Sequence, residues 1–148
     1  MNVKFRRYAE PGDLREIGLL VSRVVLECYG HLLANYSFDT GENWPGSWVA
    51  ESGGAIVGVM LTGSDWVEDL WIDAAHRQLG IGAQLLRIAE SEIADRGYEV
   101  GHLRVVSENI RALRFYARHG WIEDSRYPHE INGFDMMEMK KRLIGLAP

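Results

Sequence analysis

The stretch His76-Arg77-Gln78-Leu79-Gly80-Ile81-Gly82-Ala83 opens a run of apolar residues at helical spacing, and it does so with two glycines. Inside a helix each glycine costs about 1 kcal/mol relative to alanine, so their place in the first turn needs a reason. Without Cβ atoms the backbone there can be approached closely. A helix's first turn also has about four N–H groups without an intrahelical acceptor, at the positive end of the dipole. The chemistry on offer is anion binding, of a phosphate above all, with the full charge of Arg77 beside it. Two common nucleotide sites are excluded by the neighbouring residues. A P-loop carries Lys and then Ser or Thr after its last glycine, absent here, and a dinucleotide fingerprint carries Gly or Ala three residues after Gly82, where Leu85 stands. Close packing of a helix against a strand would use the same two glycines, and the motif alone supports both readings.

Other reactive side chains offer less. Cys28 is the only cysteine, so the chain forms neither an internal disulfide nor a thiolate zinc site, which fits a reducing compartment. It lies in a strongly apolar helical segment with only His31 nearby as a base, and reads as a buried structural thiol rather than a nucleophile. His31, His76, His102, His119 and His129 show no metal-ligand spacing, and no metal is expected.

The elements that must position these residues follow from pattern. With 148 residues, 47% of them hydrophobic, the chain can bury one core, and a single domain over residues 1–148 is expected. The net charge of −5, with basic residues interleaved among acids, leaves no footprint for nucleic acid. No signal peptide or membrane span is legible, so a cytoplasmic protein is expected. "VKFRRYA" reads as a strand, followed by a helix that starts with an Asp13–Glu16 capping box, carries Leu14, Ile17, Val21, Val24 and Val25 on one face, and runs toward Gly30. Residues 31–46 read as a short helix or a long surface loop. Three strands follow, the first two joined at Gly53-Gly54 and the third from about Asp65 to Asp73. The glycine-led helix from about Gly80 to Arg96 and the strand "EVGHLRVVS" complete a β-α-β unit. A shorter helix ends at Gly120, and two strands close the chain around the Asn132-Gly133 turn. The fold class is α+β: a mixed sheet with helices packed on it. Met136, Met137 and Met139 in the last strand are either ordinary core or, on an edge strand, a route to a homodimer.

The sequence Arg77 to Ala83 resembles the Arg/Gln-x-x-Gly-x-Gly/Ala signature of the GNAT superfamily of acyl-CoA-dependent N-acetyltransferases, and is preceded by the matching strand "EDLWIDAAH". The stretch Asn109 to Trp121 looks like that family's second signature: Asn, a helical Tyr, then Gly and an aromatic residue. Three departures stand out. Ala74 replaces a common proline, Trp121 replaces the usual Phe, and neither Leu79 nor Ala83 supplies the extra loop cation, which leaves Arg77, Arg111 and Arg114 as candidate phosphate partners or as a solvated helix face. The resemblance implies a mostly antiparallel sheet of about six to seven strands with about four helices on both faces, and acetyl-CoA as donor. Its pyrophosphate would lie on the backbone N–H groups of Gln78, Leu79, Gly80, Ile81, Gly82 and Ala83, its pantetheine arm against the backbone of Leu70, Trp71 and Ile72, and Asn109 would hydrogen-bond the pantetheine or diphosphate region.

Acyl transfer from a thioester to an amine needs a neutral amine, a stabilised oxyanion and a proton for the departing thiolate. Asn109 and Tyr116 are seven residues apart and share one helix face about 10.5 Å apart along the axis. By the family's pattern Tyr116 is the general acid toward sulfur, against the alternative of a core tyrosine, and the Ile72 N–H is the oxyanion donor. Glu68, expected on the same strand face as Leu70 and Ile72 with Asp69 pointing away, is the first choice of base; a water chain or a merely solvated Glu68 is the alternative. The acceptor is a small-molecule or peptide amine or a protein lysine. Asp39, Glu42, Asp65, Glu68 and Asp69 would favour a cationic amine, and Tyr36, Phe38, Trp44 and Trp66 either line a pocket or belong to the core. A non-catalytic acyl-CoA sensor or interaction module is the rival function. It would need the glycine loop but not Tyr116 or Glu68.

Overall fold

The computed structural model describes residues 2–32, 44–129 and 133–143. In chain order its elements are β1 (Val3–Arg7), α1 (Asp13–Tyr29), β2 (Trp48–Ser52), β3 (Ala55–Gly63), β4 (Trp66–Ile72), α2 (Ile81–Asp95), β5 (Val100–Val106), α3 (Ile110–Arg118), β6 (Ile122–Pro128) and β7 (Asp135–Arg142). Single 3-10 turns occupy Gly30–Leu32, Trp44–Gly46 and Ala74–His76. The seven strands form one sheet in the order β1-β2-β3-β4-β5-β7-β6, antiparallel throughout except for the parallel pair β4 and β5. This is the α+β architecture expected, with three α-helices among the described residues where about four were expected. The described ends of the 31–46 stretch form only the two single turns, and the rest of it lies outside the described residues.

Helices cover both faces. Along β3 seven consecutive residues are buried, as befits a strand covered on both sides. On one side Ile17, Leu20, Val21, Val24 and Val25 of α1 pack with Val59, Leu61 and the fully buried Trp44, which is core and not pocket wall. Leu14, read from its spacing as part of that apolar face, is half exposed instead. On the other side Ile81, Leu85, Leu86, Ala89 and Ile93 of α2 pack with Met60, Leu103, Trp121, Met137 and Met139. Those two methionines are core, and β7 lies between β5 and β6, so the edge-strand route to a dimer does not exist at β7; the edges are β1 and β6.

The expected capping box at α1 does not form, because both its acids are used elsewhere. The Asp13 carboxylate is buried, accepting the fork of Arg6 at 2.6 and 3.1 Å and the N–H of Ala9 at 2.8 Å. Glu16 accepts the N–H of Ile56 at 3.2 Å, tying α1 to the start of β3. Tertiary partners thus displace a local cap.

The hydrogen bond from Arg6 holds the Asp13 carboxyl below its ordinary value, against the opposing effect of burial. An acid whose folded pKa is depressed stabilises the fold fully above its unfolded pKa, near 3.9, and loses that contribution as pH falls through the folded value. Asp13→Asn is expected to lose about 2 kcal/mol at pH 7, measured by urea unfolding, and the gap to the wild type should narrow as pH falls below the ordinary carboxyl value and through the depressed one. A gap independent of pH would contradict an ionic role.

Candidate active site

Between β4 and β5 the sheet comes apart. Trp66 and His102 are the single paired position of these two strands, and beyond it they diverge. The next antiparallel ladder shows which backbone groups the parting leaves free. The Asp73 N–H bonds to the Val57 carbonyl at 2.8 Å, and opposed residues alternate between bonded and non-bonded pairs, so Trp71 opposite Val59 also turns its N–H and C=O to β3. Leu70 and Ile72 turn theirs toward β5, into the gap. Leu70 and Ile72 are therefore placed to meet a ligand through their backbone, whereas Trp71, grouped with them from the sequence, is not. Its indole instead donates to Asp69 at 2.9 Å.

A cleft of about 1300 Å³ runs through this gap. Of the residues singled out in the sequence, Glu68, Leu70, Trp71, Ile72, Arg77, Gln78, Gly80, Gly82, Ala83, Asn109 and Tyr116 line it. Leu79 and Ile81 do not: the Leu79 side chain is half exposed and that of Ile81 is in the core, so either could contribute only backbone.

The loop entering α2 is wound by two left-handed residues, Gln78 at φ +63° and Gly80 at φ +84°. Gln84 donates to the Gly80 carbonyl at 3.0 Å, and the N–H groups of Ile81, Gly82 and Ala83, ahead of that bond, point out of the helix end beside the cleft. The two glycines do different things. A Cβ on Gly80 would meet nothing within 4 Å, so this residue is needed for its backbone angle. A Cβ on Gly82 would lie 3.3 Å from Cζ of Phe115 and 3.6 Å from Cγ1 of Ile72, so here the close-packing reading holds.

Arg77 is not a free charge beside this loop. Its guanidinium pairs with both Glu27 carboxylate oxygens, at 2.5 and 2.7 Å, and donates to the Ile72 carbonyl at 3.2 Å. It fastens the loop to α1 and the end of β4, and the Ile72 carbonyl is thereby occupied while its N–H still faces the gap. Arg111 also lies toward Glu27, at 3.8 Å, and donates to Sγ of Cys28 at 3.2 Å. Cys28 is consequently half-buried in the cleft wall between two arginines, not enclosed in apolar core as its segment suggested. Arg114 and Arg118 line the cleft with no ion pair among the described residues. Arg114 is thus the member of the sequence-derived trio whose charge is free.

Asn109 caps α3, its Oδ1 accepting the Ala112 N–H at 3.2 Å, and its Nδ2 donates to the Tyr29 hydroxyl at 2.8 Å. The cap reading and the cleft reading are thus both true of its position. Tyr29 was not found from the sequence; as the last residue of α1 before Gly30 it carried no motif. The Tyr116 ring is buried against the α2-side core and borders the cleft. Burial pushes its phenol well above the ordinary value, and Tyr29 and Asp69 push it further the same way. The group keeps its proton at neutral pH.

Glu68 stands differently from its expected alternation. Leu61 pairs with Asp69 but Thr62 pairs with Val67, so Glu68 is the extra residue of a β-bulge. Its carboxylate lies over Gly63, where a Cβ would come within 2.6 Å of Oε1. Gly63 alternates with Leu61 on the α1 side, so Glu68 and Asp69 share that face while Leu70 and Ile72 pack on the α2 side. Asp65 lies 3.6 Å from His102 and the Trp66 ring lies 5.3 Å from that histidine, and neither residue lines the cleft. Tyr36, Phe38, Asp39 and Glu42 fall outside the described residues. Among the described residues no cluster of three metal-ligating side chains occurs, and no helix is long and apolar enough to cross a membrane.

A parted parallel strand pair, an exposed helix N-terminus at its mouth and a buried phenol beside it thus share one cleft. The family model of the acetyltransferase (GNAT) domain matches residues 37–143, and the chain belongs to that family. Acetyl-CoA is the family's acyl donor, and the protein is an acyl-CoA-dependent acetyltransferase. The comparison with curated proteins finds no match. Among solved structures the chain is similar to apo YjaB from Escherichia coli, at 22% identity and TM-score 0.75 over 98% of this chain and 99% of that one. It is likewise similar to yncA, a putative acetyltransferase from Salmonella typhimurium with its cofactor acetyl-CoA, at 20% identity and TM-score 0.76 over 100% and 98% of the two chains. The PaiA N-acetyltransferase from Thermoplasma acidophilum in complex with coenzyme A matches at 16% identity and TM-score 0.75 over 96% and 99%. At these identities the structural likeness speaks for the fold.

The φ of +84° at Gly80 puts a side chain there in the left-handed region, a strain of about 1–2 kcal/mol that the loop would relieve by moving. Gly80→Ala is expected to weaken acetyl-CoA binding about tenfold in calorimetric titration. Unchanged affinity would show that the left-handed turn is not needed for the donor.

Proposed function

We propose that the protein is an N-acetyltransferase that moves the acetyl group of acetyl-CoA to a primary amine by direct attack within a ternary complex. The observation that supports this reading best is the parting of β4 and β5, which opens the unpaired N–H of Ile72, the free first turn of α2 and the Tyr116 phenol onto one cleft. The protein of Thermoplasma acidophilum is an N-acetyltransferase, and another structure with this fold is the ribosomal-protein-S18-alanine N-acetyltransferase of Escherichia coli; both transfer to nitrogen.

The residues fit the donor. The N–H groups of Ile81, Gly82 and Ala83 would take a pyrophosphate, with Gln78, Leu79 and Gly80 completing the loop and Arg114 adding charge. Leu70 and Ile72 offer backbone partners to an extended arm, and Asn109 keeps its second amide hydrogen for the same arm. When bound, acetyl-CoA supplies an acyl group activated as a thioester.

Each remaining need is met by a group of the chain. An alkylammonium with a pKa near 10.4 must lose a proton before its nitrogen attacks, and Glu68, exposed at the cleft wall, accepts it directly or through water. The Ile72 N–H donates to the carbonyl oxygen as negative charge builds there. The Tyr116 phenol, kept protonated by its burial, donates to the departing sulfur.

Tyr116→Phe should lower kcat about a hundredfold while the affinity for coenzyme A stays within about twofold, the signature of an interaction made only in the transition state. Glu68→Gln should depress kcat/KM for amines most strongly at low pH, where the ammonium form dominates, and less as pH rises toward the amine's own pKa. A Tyr116→Phe enzyme with full turnover would remove the phenol from the mechanism, and equal loss of binding and turnover would make it structural.

A further inference from the structure

The two strands that part also carry opposite charges on one face. Along β5, Leu103 and Val105 enter the α2-side core, so His102 and Arg104 stand on the α1 side, the side to which the bulge turns Glu68. From the last paired position, Trp66 with His102, Glu68 and Arg104 each lie two residues further along. They face one another across the widening gap, and both line the cleft.

Arg104 has no ion pair with the acid opposite it in the sheet. Glu138 is directly opposite on β7, yet it turns to His102 at 3.8 Å. The guanidinium instead lies over the Trp66 ring, 5.0 Å from its centroid, on the β4 side. Among the described residues neither Arg104 nor Glu68 has an ion pair, whereas Arg6, Arg7, Arg23, Arg77 and Arg126 all have one. Stacking on an indole fixes the guanidinium plane and leaves its edge N–H groups for a planar anion. An exposed acid and a stacked arginine on the two lips of one opening match a molecule that carries both charges.

We propose that the acceptor is a small amine bearing a carboxylate, of the amino-acid class, with its nitrogen at Glu68 and its carboxylate on the Arg104 fork. This rests on the N-acetyltransfer reading and adds to it a substrate class and a specificity residue. A bidentate carboxylate contact is directional as well as charged, so an amide, isosteric but neutral, loses both qualities.

The test is a thiol-release assay with acetyl-CoA over the amino acids, each beside its amide. The wild type is expected to favour the free acid of its best substrate over the amide by at least about tenfold in kcat/KM. Arg104→Gln should bring that ratio toward one, and Arg104→Lys, which keeps charge but not the fork, should leave it in between. Coenzyme A affinity measured on each variant shows that it is folded. A wild-type ratio near one, or a ratio that Arg104→Gln leaves unchanged, overturns the inference while amine acetylation itself stands. Binding of coenzyme A without acetylation of any acid or amide overturns the amino-acid class, and the same assay run with polyamines and peptides then separates that failure from failure of N-acetyltransfer itself, which only the absence of thiol release from every amine would remove.

Discussion

The rest of the site depends on a missing row of hydrogen bonds. Parallel strands normally share evenly spaced bonds along their length, and β4 and β5 give these up after one paired position. Backbone groups left unpaired near a core are costly, so a fold that holds them so needs something to satisfy them. In the complex we propose, the N–H of Ile72 and the groups of Leu70 gain a strand-like partner in the donor, so that an extended ligand would be recognised by the means a sheet uses on itself.

The elements around the open end of the gap are tied to one another. Arg77 spans Glu27 on α1 and the Ile72 carbonyl, fastening the glycine loop to the first helix and to the end of β4. At the same end Phe115 of α3 packs over Gly82, where a Cβ would lie 3.3 Å from its Cζ. Asn109 then joins α3 to α1 through Tyr29. The three helices are thereby tied to one another around the opening, independently of the sheet that would otherwise close it.

Much of this was legible in the sequence because it rests on local rules. Gly53-Gly54, Gly30, Gly97 and Gly120 punctuated the elements where they end, and the glycine-led helix began at Gly80 as expected. What was missed rests on partners and register that no local pattern specifies. The Asp13–Glu16 capping box was a sound local pattern, but Arg6, Ala9 and Ile56 claimed its carboxylates. Period-two alternation put Glu68 beside Leu70, and one bulged residue reversed its face. Arg77 looked like a phosphate ligand until Glu27, fifty residues earlier, took its guanidinium. The last strand ran inside the sheet because strand order, unlike strand position in the chain, has no local signature.

The proposed donor site rests on the backbone of one strand, and amide NMR reads that backbone directly. Titrating acetyl-CoA into uniformly nitrogen-15-labelled protein should move the amide resonances of Leu70, Ile72, Ile81, Gly82 and Ala83 most. That of Trp71, committed to β3, should move far less than its two neighbours. Shifts of equal size along Leu70, Trp71 and Ile72, or shifts confined to other parts of the chain, would contradict a donor held in the parting of β4 and β5.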